Sequence, residues 1–558
     1  MANQAAPDSA AIPDYKEFLA AFKADSLNPK FAADFDKGMN AAIECCDRYA
    51  QSGRIALYWE GQDGRSTSHT FEELKEASSR FANFLVSQGV QPGDRVAGLL
   101  PRVPELLVVI LGTWRAGAVY QPLFTAFGPK AIEYRVSSSE AKFIVTDSNN
   151  RHKLNEVANC PPVATIASHG NATPPAAGDF NFHAELTRHS ASFTPIMRSA
   201  DDACMMLFTS GTTGLAKGVA VPNKALKAFY MYMRYAVDLR PEDSFWNIAD
   251  PGWAYGLYYA AIGPLLMGHA TLFFEGSFTV ESTYRVIHKY GITNLAGAPT
   301  AYRLLIAAGG EKASAVKGQL RVASSAGEPL NPEVIRWFQE HLACPVNDHY
   351  GQTEVGMVLC NFHGLRHVVR AGSAGYSVPG FRMVVVNDEG VELPSGQQGT
   401  LAVDREASSL YYFAGYWKAH TSAFVGKYYL TGDTVEMDAV GNIAFVGRGD
   451  DIITSAGYRI GPFDVESCLI EHPAVAETAV IGKPDPERTE IVKAFVVLKQ
   501  GYTASPELAE ELQQLVKHRL AAHAYPREVQ FVYELPKTPS GKIQRFLLRQ
   551  QESGKTDA

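Results

Sequence analysis

The stretch Phe208-Thr209-Ser210-Gly211-Thr212-Thr213-Gly214-Leu215-Ala216-Lys217-Gly218 follows the apolar run Cys204-Met205-Met206-Leu207. A buried strand that ends in hydroxyl and glycine residues leaves backbone N–H groups and hydroxyls free to surround polyphosphate oxygens, and Lys217 adds a compact positive charge. This reads as a phosphate loop, and it predicts nucleotide handling. The Walker pattern is excluded: counting from Gly211, Ala216 and Lys217 stand where glycine and lysine are required, and Gly218 replaces the hydroxyl. No Gly-x-Gly-x-x-Gly follows a strand, so a dinucleotide fingerprint is missing as well. A Gly/Thr-rich turn by itself is often an ordinary loop, so its companions decide.

At 558 residues the chain exceeds what one hydrophobic core supports, and at least two domains are expected. The formal charge of -8, with no Lys/Arg cluster, argues against a nucleic-acid surface. Seven cysteines without Cys-x-x-Cys spacing suggest reduced thiols and a cytoplasmic setting. Met1 to Tyr15 shows neither a secretory nor an Arg-rich transit pattern. The apolar run Leu106 to Trp114 is too short to span a bilayer, so no membrane insertion is expected.

From about Tyr58 to Asp147, and again from Cys204 to Tyr350, helical patterns such as Phe71 to Gln88, Val280 to Tyr290 and Pro332 to His341 alternate with short apolar strands. That alternation predicts an α/β fold with two parallel-type sheets covered by helices. Beyond Gly372 short strands and turns predict a small β-barrel subdomain at about 370–449. The rest, from 450, reads as a small α+β C-terminal domain with strands at Ala476 to Ile481 and Ile491 to Leu498 and an amphipathic helix from Pro506 to His523.

Five further segments carry chemistry: Ser325-Ala326-Gly327-Glu328-Pro329; Asp348-His349-Tyr350-Gly351-Gln352-Thr353-Glu354; Tyr429-Leu430-Thr431-Gly432-Asp433; Gly447-Arg448-Gly449-Asp450-Asp451 leading into Ser455-Ala456-Gly457-Tyr458-Arg459; and Pro536-Lys537-Thr538-Pro539-Ser540-Gly541-Lys542. In this order and spacing they resemble the adenylate-forming superfamily of acyl-CoA synthetases, peptide adenylation domains and luciferases. The likeness covers nearly the whole chain after residue 40. Within it the chain is most similar to short- and medium-chain acyl-CoA synthetases of the acetyl-CoA synthetase type.

The resemblance implies an ATP-dependent, AMP-forming acyl-CoA synthetase with ATP, coenzyme A and a small carboxylic acid as substrates and Mg²⁺ as the cation. Thr209, Ser210, Gly211, Thr212, Thr213, Gly214 and Lys217 would hold the β- and γ-phosphates. Gly327, Glu328, Pro329, Asp348, His349 and Tyr350 would form the adenine slot, beside Gln352. Thr353 would meet the α-phosphate and Glu354 the metal. Asp433 would take the ribose hydroxyls, helped by Arg448, and Arg459 a phosphate. Lys542 would bridge the attacking carboxylate and the α-phosphate. In the family the C-terminal domain turns about a hinge, which maps to Asp450, and brings Gly457 and Tyr458 to the pantetheine tunnel. Lys517, with Arg151 and Lys153, is a positional guess for the coenzyme A nucleotide.

Trp253, Ala254, Tyr255, Ala326 and Gly351 would line the acyl pocket. Acetyl-specific relatives carry tryptophan at the position of Gly351, so its loss predicts room for several more methylenes, each worth about 0.8 kcal/mol on burial. Bulky Trp253 and Tyr255 then favour short- to medium-chain, branched or aromatic acids over long ones. An acetyl-CoA synthetase and an adenylation module loading a carrier protein stand as alternatives, although Phe245-Trp246-Asn247 lacks the aspartate such modules use for a substrate amine. His363 and His367 have metal-ligand spacing without an adjacent glutamate. Oligomeric state, a homo-oligomer included, is left open.

Overall fold

The computed structural model describes residues 12–167, 175–209, 216–455, 458–521, 523–538 and 542–553. The strand Ala203–Thr209, buried along its middle, lies inside a seven-stranded sheet. Its neighbours are Val119–Pro122, parallel, and Lys217–Pro222, antiparallel, with Thr209 opposite Lys217. The remaining strands, Arg95–Leu99, Ala141–Asp147, Val163–Ile166 and Phe180–Asn181, continue the sheet in parallel. Helix Phe71–Ser87 starts on a capping box in which Thr70 and Glu73 satisfy each other's backbone N–H groups. Helix Pro104–Arg115 is buried at every position, which accounts for its all-round apolar character without a membrane. Among the described residues no helix is long and apolar enough to cross one.

A second sheet runs Phe245–Asn247, Asn294–Gly297, Val322–Ala326 and Val346–Gln352 in parallel, then Gly356–Cys360 and Tyr376–Ser377 antiparallel. The carboxyl ends of its two central strands lead into Gly327–Pro329 and Tyr350–Glu354, the edge where α/β sheets bind ligands. An antiparallel half-barrel follows, built on Met383–Val386, Gln398–Asp404, Phe424–Val425, Tyr428–Met437 and Ile443–Arg448. The small C-terminal sheet, Ile453–Ser455, Tyr458–Ile460, Val475–Asp485, Thr489–Leu498 and Glu528–Phe531, has its own apolar cluster around Val465, Leu469, Val480 and Leu512. The expected fold class, a large α/β N-terminal part with two sheets and a half-barrel plus a small C-terminal domain, is the one observed.

Three features depart from the sequence reading. A three-stranded sheet joins Ile55–Glu60 to Ser66–Thr70 and, in parallel, to Thr271–Phe274, a pairing too distant in the chain for local pattern to reveal. The helix from Pro332 widens after Trp337 into a π-helical turn, Phe338–Leu342. The last long helix ends at Arg519, short of His523.

A fully buried guanidinium locks the first helices together: Arg115 donates to both carboxylate oxygens of Asp47, one at 2.9 Å, and to Ser78 Oγ at 2.8 Å. Asp47→Ala leaves that cation enclosed with a single hydroxyl partner and should cost about 3–5 kcal/mol in denaturant unfolding. Adding Arg115→Leu should recover much of the loss, and equal stabilities of Asp47→Ala and the unaltered protein would contradict this account.

Candidate active site

The centre of the site is the Asp433 carboxylate, buried on the long half-barrel strand. Tyr350 Oη donates to it, Gln352 Nε2 donates to it at 3.0 Å, and the Gln352 amide is fixed by Thr431 O at 2.9 Å and Tyr429 Oη at 2.9 Å. Strand register sets Arg448 directly opposite Asp433. Burial raises the pKa of Asp433, and Tyr350, Arg448, Gln352 and Lys542 pull it back. Lys542, the weakest of these influences, belongs to the C-terminal part of the chain.

Beside this node, Asp348 is enclosed and its acid is pushed up to about 8 by desolvation. Its Oδ2 accepts from Leu330 N–H at 3.0 Å, whereas Oδ1 has no protein partner. His349 is neutral, its pKa pushed down to about 3 by burial. Because Asn361 O can only accept, His349 Nε2 carries the proton at 3.1 Å, and Nδ1 accepts from Tyr232 Oη at 2.9 Å. His349 thus packs inside the wall and props the strand. Glu328 is held by Arg303 at 3.0 Å and Thr300 at 3.1 Å, and Gly327 takes φ +102°, which only glycine adopts without strain. The Tyr350 ring lies 6.5 Å from that of Phe445.

At the phosphate-loop end, Thr209 and Lys217 pair across adjacent strands, and Ser210, Gly211, Thr212, Thr213 and Gly214 between them lie outside the described residues. Tyr134 Oη donates to Ala216 O at 2.9 Å and holds the residue before Lys217. Thr353 O accepts from Tyr258 Oη at 3.0 Å, and Met357 N–H donates to Tyr259 Oη at 3.0 Å. Two successive tyrosines of one π-helical turn, Leu257–Ile262, therefore clamp both sides of Glu354. The Glu354 carboxylate is buried, which raises its pKa, and accepts from Tyr416 Oη at 2.8 Å. Tyr258, Tyr259 and Tyr416 were missed in the sequence, whereas Tyr429 opens one of the segments that carry chemistry; the aromatic run Tyr411 to Trp417 is the local signal for Tyr416.

Lys542 is exposed; its N–H donates to Thr538 Oγ1 at 3.0 Å and its carbonyl accepts from Thr538 N–H at 2.7 Å. Arg545 follows, paired with Glu466 at 2.8 Å and Asp451 at 3.7 Å, and Arg549 also reaches Asp451. The segment after Lys542 is thereby tied to the residue that follows Asp450, which itself pairs with Arg448 at 3.4 Å. Tyr458 is 52% exposed and stacks on His523 at 4.2 Å. Gly457 and the Arg459 side chain lie outside what is described. Lys517 sits 5.8 Å above Tyr525. Arg151 is engaged by Asp179 at 2.9 Å and Lys153 by Asn150 at 2.9 Å, so both cations already serve the fold.

In the expected acyl pocket, Trp253 packs between Phe124 at 5.4 Å and Phe127 at 5.3 Å, Tyr255 lies 5.9 Å from Tyr259, Ala254 follows Trp253 in the same turn, and Ala326 is fully buried. The expectation that Gly351 leaves open space is corrected. A Cβ there would lie 2.2 Å from Gly356 O and 2.8 Å from Met357 Cα, so the returning strand fills the room. The register shift between Tyr350 and Gly351 is what brings the two backbones so close. His363 and His367 make no metal pair: His363 bonds Ala323 O at 2.8 Å, and His367 Nε2 accepts from Phe362 N–H at 2.8 Å.

The AMP-binding enzyme family matches residues 46–417, and the AMP-binding enzyme C-terminal domain matches residues 464–542. An acetyl-coenzyme A synthetase of Bacillus subtilis (strain 168) is 39% identical over 524 residues, 92% of this chain and 91% of that protein. The crystal structure of a Brucella canis acyl-CoA synthetase is 57% identical, covers 98% of this chain and 100% of its own, and superposes with a TM-score of 0.80. That of the anthranilate CoA ligase AuaEII in complex with anthranoyl-AMP is 26% identical over 96% of this chain and 100% of its own, with a TM-score of 0.86. Matched over both its large and its small domain, the chain belongs to the AMP-binding enzyme family.

Proposed function

We propose that the protein is an AMP-forming acid–CoA ligase that activates a short- to medium-chain carboxylic acid, branched and aromatic acids included, as its acyl-adenylate and passes the acyl group to the thiol of coenzyme A. The observation that carries this reading is the set of motif residues gathered at the buried Asp433 carboxylate, Tyr350, Gln352 and Arg448, in a chain whose C-terminal part carries Lys542 exposed. A nucleotide-binding module has no use for a lysine delivered from a separate domain.

The acid is ionised at neutral pH and needs no general base; repulsion between its carboxylate and the α-phosphate is the obstacle. Lys542 neutralises that approach, Thr353 orients the α-phosphate, and Thr209 to Lys217 draw charge toward the departing pyrophosphate. Asp433, a buried carboxylate, takes the two ribose hydroxyls, with Arg448 beside it. The adenine lies against Tyr350 between Gly327–Pro329 and Asp348. Glu354, a buried hard oxygen donor beside the phosphate loop, fits Mg²⁺, which when bound would neutralise the pyrophosphate oxygens. For the second half-reaction the C-terminal domain, 450–558, turns about Asp450, takes Lys542 away and presents Gly457 and Tyr458 to the thiol arm. Trp253, Ala254, Tyr255 and Ala326 bound the acyl group; their aromatic bulk, rather than a void at Gly351, limits its length.

Pyrophosphate release across acids from acetate to decanoate, with branched and aromatic ones, tests the reading. Turnover should peak between propionate and hexanoate or on an aromatic acid and should require coenzyme A; a peak at decanoate would contradict the pocket. Lys542→Ala should lower pyrophosphate release about 10²- to 10³-fold. It should leave thioester formation from supplied acyl-adenylate nearly intact, and equal loss of both steps would refute the division of labour. Gly351→Trp should displace the strand that follows Glu354 and depress adenylation of every acid; a clean switch to acetate would show that the indole finds room.

A further inference from the structure

Tyr416 lies outside every motif that marks the site, yet it touches the two groups that the proposed reaction most needs to hold apart at a fixed distance. Its hydroxyl donates to Glu354 Oε1 at 2.8 Å. The Lys217 ammonium stands 4.8 Å from the centre of its ring, within the range of cation–π attraction. Glu354 belongs to the connection between two strands of the second sheet, Lys217 to a strand of the first, and Tyr416 to a connection between half-barrel strands. One side chain therefore joins three parts of the fold.

The residue is anchored. Tyr416 forms an antiparallel bridge with Val219, and Trp417 N–H donates to Gly218 O at 2.8 Å, so this loop is stitched to the strand that begins at Lys217. A Cβ on Gly218 would meet Trp417 Cβ at 3.1 Å, so glycine there permits the close approach. Tyr416 N–H donates to Thr421 Oγ1 at 2.9 Å, and Phe413 packs edge-on against the ring at 5.1 Å. Packing alone would be served equally by phenylalanine. The hydroxyl meets the Glu354 carboxylate, with Tyr429 also beside it.

Resting on the acid–CoA ligase reading, we propose that Tyr416 is a positioning residue for the phosphate end of the site: its hydroxyl fixes the Glu354 carboxylate for a divalent cation, and its ring fixes the Lys217 ammonium for the phosphates. Partners that orient a metal ligand from outside its coordination sphere commonly contribute about 10- to 100-fold in metal affinity. The two contacts separate by substitution. Tyr416→Phe removes the hydroxyl and keeps the ring, and Tyr416→Leu removes both.

The test uses the full-length protein with α,β-methylene ATP and Mn²⁺, the bound ion being counted by electron paramagnetic resonance. Tyr416→Phe should weaken Mn²⁺ binding about 10- to 100-fold while leaving the affinity for the nucleotide near that of the unaltered protein. Tyr416→Leu should weaken both. Thioester formation from supplied acyl-adenylate, which uses neither cation nor pyrophosphate, should stay within about twofold in Tyr416→Phe, as expected for a folded protein. Mn²⁺ binding by Tyr416→Phe equal to that of the unaltered protein would overturn the inference, as would equal loss of both half-reactions. If the unaltered protein formed no AMP from any acid, the ligase reading itself would fall, and this inference with it.

Discussion

A carboxylate taken out of water must be met by donors or give up its charge, and Asp433 is the place where this chain faces that constraint. Its partners come from separate strands: Tyr350 and Gln352 from the second sheet and Arg448 from the neighbouring half-barrel strand. Satisfying one buried anion thus fixes the half-barrel against the sheet. The same carboxylate is an acceptor suited to the paired hydroxyls of a ribose. Fold and binding draw on a single electrostatic need.

The segments around that node are held by tyrosine hydroxyls, three reaching backbone groups and one a side-chain amide. Tyr258 holds Thr353 O, Tyr259 holds Met357 N–H, Tyr134 holds Ala216 O and Tyr429 holds the Gln352 amide. A tyrosine brings an apolar body that packs and a polar tip that spans to a distant chain, so it can place a loop without surrounding it by regular structure. Glu354 lies between two strands and Lys217 at the start of one, and both side chains meet Tyr416.

What could be read in the sequence was whatever is local. The parallel strands are continuous apolar runs, helix Phe71–Ser87 announces its start through Thr70 and Glu73, and the motif residues Gly327, Tyr350, Thr353, Asp433 and Lys542 stand in the order that the family requires. What could not be read was whatever depends on partners far along the chain. Ile55–Glu60 finds Thr271–Phe274 more than two hundred residues away, Tyr416 finds Glu354, and Arg115 finds Asp47, with no mark in the local pattern. Gly351 is the instructive failure. A missing side chain was read as empty space, yet a backbone strand had moved into contact, because close-packed interiors seldom leave a void. The acyl pocket was accordingly less legible than the nucleotide site, whose charges leave a fixed signature of residue types.

The central claim is that Lys542 and the Asp433 node form one centre that splits ATP at the α-phosphate. It is tested most directly by following the phosphorus products with ³¹P nuclear magnetic resonance during turnover with ATP, Mg²⁺, an accepted acid and coenzyme A. The account predicts AMP and pyrophosphate in equal amounts, each matching the thioester formed. ADP and orthophosphate, or AMP formed without acid, would contradict it.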